Sequence, residues 1–182
     1  MNAAEFVLSL VDISGGIEGR TLLQKRAFFV ELLTDVDIDL GFDAHYYGPY
    51  SQVVDSAMTA LKNLGFIKES STGFGMGSGG FEMRRYDYSL TDDGNQIVKQ
   101  LKSTAEYKKI GAAIKRMRDS GDPNYVELSI AAKAFFVLKK KGKPMSCAEM
   151  SNEAGRFNWD LKPESIARAV DFLKKVGLAT GQ

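Results

Sequence analysis

The stretch FIKESSTGFGMGSGGFEMRRYDYSL, residues 66–90, decides the fold because the hydrophobic period changes there from the helical 3.6 to the 2 of a strand. Phe66 and Ile67 begin one strand, and Glu82 to Leu90 forms a second strand with Tyr86 and Tyr88 on one face. A glycine-rich run, Gly73 to Gly80, connects the two strands. The segment therefore predicts a two-stranded β-hairpin with a flexible tip.

Three amphipathic helices precede this hairpin and a fourth follows it. Apolar residues three and four positions apart predict helices over about Asn2–Asp12, Thr21–Leu33 and Ser51–Leu64, and Thr91 is placed to cap the fourth. The order helix, helix, helix, hairpin, helix is typical of a winged-helix domain. We therefore expect a mainly α fold with a small β-hairpin (α+β), in which residues 1–104 form a winged helix-turn-helix domain.

The second of these helices has an apolar face that points toward the core, and its polar residues are expected to face water. Leu23, Ala27 and Val30 share the apolar face. On this pattern Gln24, Lys25 and Glu31 are predicted to be exposed.

Residues 105–182 are predicted to be a second, helical and basic unit of helix-turn-helix type. Ile110 to Met117 marks one helix, and a longer one begins near Pro123. Ser146 and Glu149 have the spacing of a capping box, which predicts a short third helix. Pro163 begins a last helix. The stretch Leu173 to Leu178 repeats the pattern of Leu61 to Phe66, a helix end, a glycine and an apolar strand start. Chance similarity between common helix ends explains this repeat equally well.

The net charge of the chain changes sign at the same boundary, residue 104. Residues 1–104 hold nine Lys and Arg against fourteen Asp and Glu, a net charge of −5, whereas residues 105–182 hold fifteen against nine, a net charge of +6. A phosphate backbone would be attracted mainly by the second half, although ordinary solvated surfaces give the same counts. The start of the chain has no basic leader with a cleavage pattern, and no long apolar run follows, so we expect a cytoplasmic protein that does not enter a membrane.

No pattern in the sequence predicts an enzyme, a cofactor or a metal site. Cys147 and His45 are the only residues of their types, which excludes a cysteine-rich zinc site. Gly75, Gly77 and Gly80 match G-x-G-x-x-G, but they join two strands and so lack the helix N-terminus that a nucleotide site needs. The acidic run that begins at Asp35 lacks the glutamate of a calcium loop. We expect His45 to be structural, Cys147 to fill apolar space, and Trp159 with Phe157 to anchor the core.

Two groups of side chains are candidates for contacts with nucleic acid, with a solvated surface as the alternative for each. The third helix exposes polar groups that can hydrogen-bond base edges, together with one repulsive carboxylate, Asp55. The hairpin and the last helix carry cations that can reach phosphates. The candidate residues are Gln52, Ser56, Thr59 and Lys62 on the third helix, Arg84 and Arg85 on the hairpin, and Arg168, Lys174 and Lys175 on the last helix.

Three stretches carry a resemblance to known families: Gly19-Arg20-Thr21-Leu22-Leu23-Gln24-Lys25, Ala44-His45-Tyr46-Tyr47-Gly48-Pro49-Tyr50-Ser51, and Leu61 to Ile67. The chain resembles the YwgA-like proteins of unknown function and, more distantly, the Panacea domain of SocA-like antitoxins. In those families a Leu-Gln-Lys helix precedes an aromatic-Gly-Pro-aromatic-Ser turn. The resemblance covers about residues 17–67, and it implies a winged-helix-like fold with a role in gene regulation or in neutralising a partner.

These observations give two expectations for function. The leading one is a homodimeric, DNA-binding transcriptional regulator, in which the third helix and the wing, or the basic last helix, contacts double-stranded DNA. The alternative is a protein-binding module of antitoxin or adaptor kind, whose acidic first unit holds a basic partner protein without binding DNA.

Overall fold

A computed structural model describes residues 1–76 and 82–179, and the predicted α+β class is confirmed. Eight helices and a three-stranded antiparallel sheet form the described part of the chain. The elements are α1 (Ala3–Ser14), β1 (Ile17–Glu18), α2 (Arg20–Leu33), α3 (Gln52–Asn63), β2 (Ile67–Met76), β3 (Glu82–Leu90), α4 (Asp92–Leu101), α5 (Ala105–Asp119), α6 (Tyr125–Lys141), α7 (Cys147–Gly155) and α8 (Pro163–Lys175).

The predicted hairpin is confirmed as the pair β2 and β3. The pairing is antiparallel from Ile67 opposite Leu90 to Gly73 opposite Arg84, and the register shifts between Gly73 and Met76. The flexible tip predicted over Gly73 to Gly80 is wrong for its first four residues, which belong to β2, and its remainder, with Gly77 and Gly80 of the glycine motif, lies outside the described residues. The sheet has one more strand than the sequence predicts, because the two-residue β1 pairs with β3 at Ile17 opposite Tyr88.

The helix caps form as the sequence predicts. The Ser51 hydroxyl accepts a hydrogen bond from the Val54 N–H at 3.0 Å and so begins α3. The Thr91 hydroxyl accepts from the Gly94 N–H at 3.1 Å and begins α4. Ser146 and Glu149 form the predicted capping box of α7. Each cap satisfies backbone donors that lack a partner inside the helix.

A single cluster of buried apolar side chains extends across residue 104. Helix α5 packs on α1 and α2, α6 packs on α2, and α8 packs on α6 and α7. Phe29 of α2 contacts Phe172 of α8 edge to face, with ring centroids 5.5 Å apart. The two predicted units thus share their core, and their division into separate domains stays a prediction. The strand start predicted at Leu178 is wrong, because residues 176–179 form a turn and a bend.

Candidate functional site

A cleft of about 1030 Å³ lies where α2, the loop before α3, and β3 meet. Five tyrosines contribute to its walls, and we call it the tyrosine cleft. Buried Leu23 and Met58 supply apolar lining. The charged and aromatic residues of its lining are Glu18, Arg20, Lys25, His45, Tyr47, Tyr50, Asp55, Arg84, Arg85, Tyr86, Tyr88 and Tyr125.

The prediction that Gln24 and Lys25 face water is wrong. Both side chains are buried, and Lys25 is only 2% exposed. The Lys25 ammonium donates a hydrogen bond to the Pro49 carbonyl at 2.6 Å, and Gln24 hydrogen-bonds the backbone of Ser51. The Leu-Gln-Lys helix therefore holds the Gly-Pro-Tyr-Ser turn in place, and hydrogen bonds to backbone groups offset part of the cost of burying these polar side chains. Glu31 is half-buried and accepts a hydrogen bond from the Leu40 N–H at 2.8 Å.

Gly48 lies between two lysines in this turn. Its φ is +100°, and a Cβ added there would be 3.0 Å from Cγ of Lys133 and 3.3 Å from Cε of Lys25. A side chain would thus be strained and crowded at this position, which explains the glycine. Burial, together with the neighbouring charge of Lys133, lowers the pKa of Lys25 to about 8.

Arg20 is held at the edge of the tyrosine cleft by two aromatic residues. Its guanidinium carbon is 5.1 Å from the centroid of the Tyr86 ring, and its Nε donates to the Tyr88 hydroxyl at 3.1 Å. Burial raises the pKa of Tyr88 to about 12, so its hydroxyl stays protonated at neutral pH. Arg20 keeps 61% of its side chain exposed, which leaves guanidinium donors facing solvent.

The predicted structural roles of Trp159 and His45 are supported by one hydrogen bond between them. Trp159 is 2% exposed, and its indole N–H donates to the His45 carbonyl at 2.7 Å. This bond fixes the turn to the second half of the chain. Tyr46 and Tyr47 next to it remain 68% and 62% exposed. The predicted apolar packing of Cys147 is also found, since it is half-buried against the core.

Three of the predicted nucleic-acid contacts form one exposed row on α3. Gln52, Ser56 and Thr59 are all exposed and lie on the same face, and we call them the α3 row. Asp55 lines the tyrosine cleft instead, where its carboxylate contacts the Tyr50 hydroxyl, so the repulsive carboxylate lies to one side of the row. Lys62 is half-buried and forms an ion pair with Glu69 at 2.9 Å.

The predicted cations of the hairpin lie beside the cleft. Arg84 is exposed on β3. Arg85 forms ion pairs with Glu18 at 2.9 Å and with Asp87 at 2.7 Å, so its charge is largely compensated. The charge on this strand available to a phosphate is therefore smaller than the sequence predicts.

The predicted cations of the last helix lie on a different surface from the α3 row. Helix α8 packs on α6 and α7, whereas α3 packs on α1 and β2. Arg168, Lys174 and Lys175 are exposed on α8. Lys175 forms an ion pair with Asp171 at 2.8 Å.

The described residues contain neither a membrane-spanning helix nor a cluster of metal ligands. Across residues 1–76 and 82–179, none of the helices combines the length and the apolar character needed to cross a membrane. In the same part of the chain, no three His, Cys, Asp or Glu residues converge in a way that could hold a metal ion.

Comparison with known proteins finds a similar chain. Over 85 residues the protein is 37% identical to the uncharacterised protein YwgA of Bacillus subtilis (strain 168). The resemblance to YwgA-like proteins is confirmed. The matched part is 47% of this chain and 47% of YwgA, so the chain matches about half the length of that curated relative. No family model matches the chain. The more distant resemblance to the Panacea domain stays a prediction.

Proposed function

We propose that this protein binds double-stranded DNA as a transcriptional regulator of winged-helix type. The observation that carries the proposal is the α3 row, in which Gln52, Ser56 and Thr59 are exposed on a helix packed beside the β2–β3 ribbon. In helix-turn-helix proteins, a helix of this kind enters the major groove and reads base edges.

The chemistry of the row suits base recognition. An amide such as Gln52 can bond adenine through two hydrogen bonds, and hydroxyls such as Ser56 and Thr59 can pair with any base. Gln52 already donates to the Ser56 hydroxyl at 3.3 Å, so the two side chains support each other on consecutive turns. Asp55 lines the tyrosine cleft beside the row, three residues after Gln52 and four before Thr59, so its carboxylate borders the proposed contact surface.

The charges of the first half of the chain limit its affinity for DNA. Residues 1–104 carry a net charge of −5, and the ion pairs of Lys62 and Arg85 compensate two of their cations. Affinity must therefore come from the base contacts of the α3 row, with a homodimer supplying a second α3 to the same duplex. The +6 charge of residues 105–182 adds long-range attraction.

Fluorescence anisotropy with a pool of labelled random duplexes tests the proposal. We expect binding at low salt that weakens steeply as salt is raised, since release of counterions drives such binding. The double variant Ser56→Glu with Thr59→Glu places two carboxylates on the α3 row and should reduce affinity at least tenfold. Lys174→Glu with Lys175→Glu on α8 is the matched control and should have a smaller effect.

Two results would contradict the proposal. Absence of binding at low salt would exclude DNA as the ligand. If the α8 double variant loses DNA binding and the α3 double variant binds normally, the last helix contacts DNA and α3 does not.

A second candidate is a protein-binding module of antitoxin or adaptor kind, which the exposed aromatic side chains favour. Tyr46 and Tyr47 contact each other edge to face with centroids 4.9 Å apart, and Tyr125 nearby is also exposed. Tyrosine is enriched at protein interfaces. On this alternative, Tyr46→Ala with Tyr47→Ala should weaken partner binding, and the wild-type protein should not bind DNA at low salt.

A further inference from the structure

The tyrosine cleft carries an excess of positive charge. Its lining contains four basic side chains, Arg20, Lys25, Arg84 and Arg85, against two acidic ones, Glu18 and Asp55. Arg85 is compensated by Glu18 at 2.9 Å and by Asp87 at 2.7 Å, and Asp55 contacts the Tyr50 hydroxyl, so the excess of positive charge depends mainly on Arg20 and Lys25. The cleft therefore favours an anion over a cation.

Lys25 is the most unusual cation of this lining. A buried ammonium ordinarily has a carboxylate partner, because burial of an unpaired charge is costly. In residues 1–76 and 82–179, the partner found for Lys25 is a neutral carbonyl, that of Pro49, and its charged neighbour is a second cation, Lys133. The Lys133 ammonium lies 5.7 Å from the centroid of the Trp159 ring and, as a cation, does not neutralise Lys25, so an anion that binds in the cleft would stabilise the Lys25 charge.

Arg20 supplies a second, independently fixed anion contact. Tyr86 and Tyr88 hold its guanidinium, and its closest carboxylate in the described part of the chain is Glu69 at 3.9 Å, a loose contact. Arg20 is also the first residue of α2, whose N-cap Gly19 has no side-chain cap and whose first turn has no acidic residue. The positive end of the helix dipole thus adds to the charge of Arg20 at the cleft.

The remaining walls of the cleft are aromatic. Tyr47 and Tyr125 both line the cleft and are 62% and 55% exposed. Tyrosine rings bind planar groups by stacking, and the Asp55 and Glu18 carboxylates can accept hydrogen bonds from sugar hydroxyls. A volume of about 1030 Å³ accommodates a ligand of nucleotide size.

We propose that the tyrosine cleft binds a small phosphorylated ligand with a planar ring, of the nucleoside monophosphate class, with its phosphate between Arg20 and Lys25. This site is separate from the α3 row, because Gln52, Ser56 and Thr59 do not belong to the cleft lining. The protein proposed to bind DNA would therefore also bind a small ligand, and either proposal can fail without the other.

Isothermal titration calorimetry at neutral pH tests this proposal with four nucleoside monophosphates as probes, and with adenosine and inorganic phosphate as fragments. We expect at least one monophosphate to bind, and each fragment to bind at least tenfold more weakly, because each retains only half of the contacts. Arg20→Ala and Lys25→Met should each lower the affinity for that monophosphate at least tenfold. Lys99→Met, at an exposed position of α4, is the matched control and should bind normally.

Several outcomes would overturn the proposal. Failure of all four monophosphates to bind at millimolar concentration would exclude this ligand class. Equal affinity for inorganic phosphate and the monophosphate would exclude recognition of the ring. Unchanged affinity in Arg20→Ala would exclude the cleft, and this surface variant gives an answer even if Lys25→Met folds poorly. The α3 double variant should bind the monophosphate normally, which separates this result from the test of DNA binding.

Discussion

Gln24 and Ser51 exchange two hydrogen bonds across 27 residues of sequence. The Ser51 N–H donates to Oε1 of Gln24 at 2.9 Å, and Nε2 of Gln24 donates to the Ser51 carbonyl at 3.0 Å. The Ser51 hydroxyl also donates to the Leu40 carbonyl and caps α3. One buried amide therefore fixes the place where the turn ends and α3 begins.

Gln24→Met should destabilise the protein by about 2 kcal/mol or more, because methionine has a similar shape but leaves the Ser51 N–H and carbonyl buried without partners. Urea unfolding followed by circular dichroism measures this loss. Gln100→Met, at an exposed position of α4, is the control and should change the free energy of unfolding by less than about 0.5 kcal/mol. Equal stability of the two variants would mean that the Gln24 amide contributes nothing to this turn.

Lys25→Met should remove a pH dependence of stability. The pKa of Lys25 falls from its ordinary 10.5 to about 8 in the folded protein, so between these values the unfolded chain binds more protons than the folded one. Stability must therefore rise with pH in this window, and the burial of the charged form costs most below pH 8. From pH 7 to pH 9 the wild type should gain roughly 1 kcal/mol relative to Lys25→Met.

Urea unfolding of both proteins at the two pH values gives their free energies of unfolding. Groups that titrate equally in both proteins drop out when the variant is subtracted from the wild type. Lys99→Met serves again as the control and should follow the wild type. The prediction fails if the wild type gains no stability relative to Lys25→Met between pH 7 and pH 9. The Lys25 ammonium would then not have the lowered pKa.

The hairpin and the helices could be predicted from sequence because each depends on a local pattern. The change of period at Phe66, the caps at Ser51 and Thr91, and the capping box of α7 all involve residues within a few positions of each other. Strand β1 could not be predicted because two residues show no alternation, and it exists only through its pairing with β3.

The tyrosine cleft was missed for a related reason. Polarity predicts that Lys25 is exposed, but its burial is decided by the Pro49 carbonyl 24 residues away. The signal that could have pointed to it was the Leu-Gln-Lys stretch together with the Gly-Pro turn, since the resemblance to YwgA-like proteins depends on both stretches. Likewise, the ion pair of Lys62 with Glu69 depends on the packing of α3 beside β2, and that of Arg85 with Glu18 depends on the pairing of β1 with β3; charge counting ignores both.

The two halves of the chain should unfold together. The apolar core crosses residue 104, and the Tyr107 hydroxyl of α5 hydrogen-bonds Asp12 of α1. Trp159 is the only tryptophan and lies in the second half, so its fluorescence follows that half, whereas circular dichroism follows all helices. We expect the two urea transitions to coincide. Two separate transitions would instead support independent domains with a boundary near residue 104.

Gly94 and Gly111 both lie inside helices, and alanine should have opposite effects at the two positions. A Cβ at Gly94 would be 2.1 Å from the Phe66 carbonyl oxygen, whereas a Cβ at Gly111 would meet nothing within 4 Å. The Phe66 carbonyl accepts hydrogen bonds from the Thr91 N–H at 3.1 Å and from the Thr91 hydroxyl at 3.2 Å, so it cannot move without breaking the start of α4.

Gly94→Ala should therefore destabilise the protein by about 2 kcal/mol or more, because the clash outweighs the better helix propensity of alanine. Gly111→Ala should stabilise it by about 0.5–1 kcal/mol, because α5 gains that propensity without a clash. Thermal and urea unfolding of the two variants measure both effects in the same protein. If Gly94→Ala is as stable as the wild type, the Gly94 backbone does not pack closely against the Phe66 carbonyl.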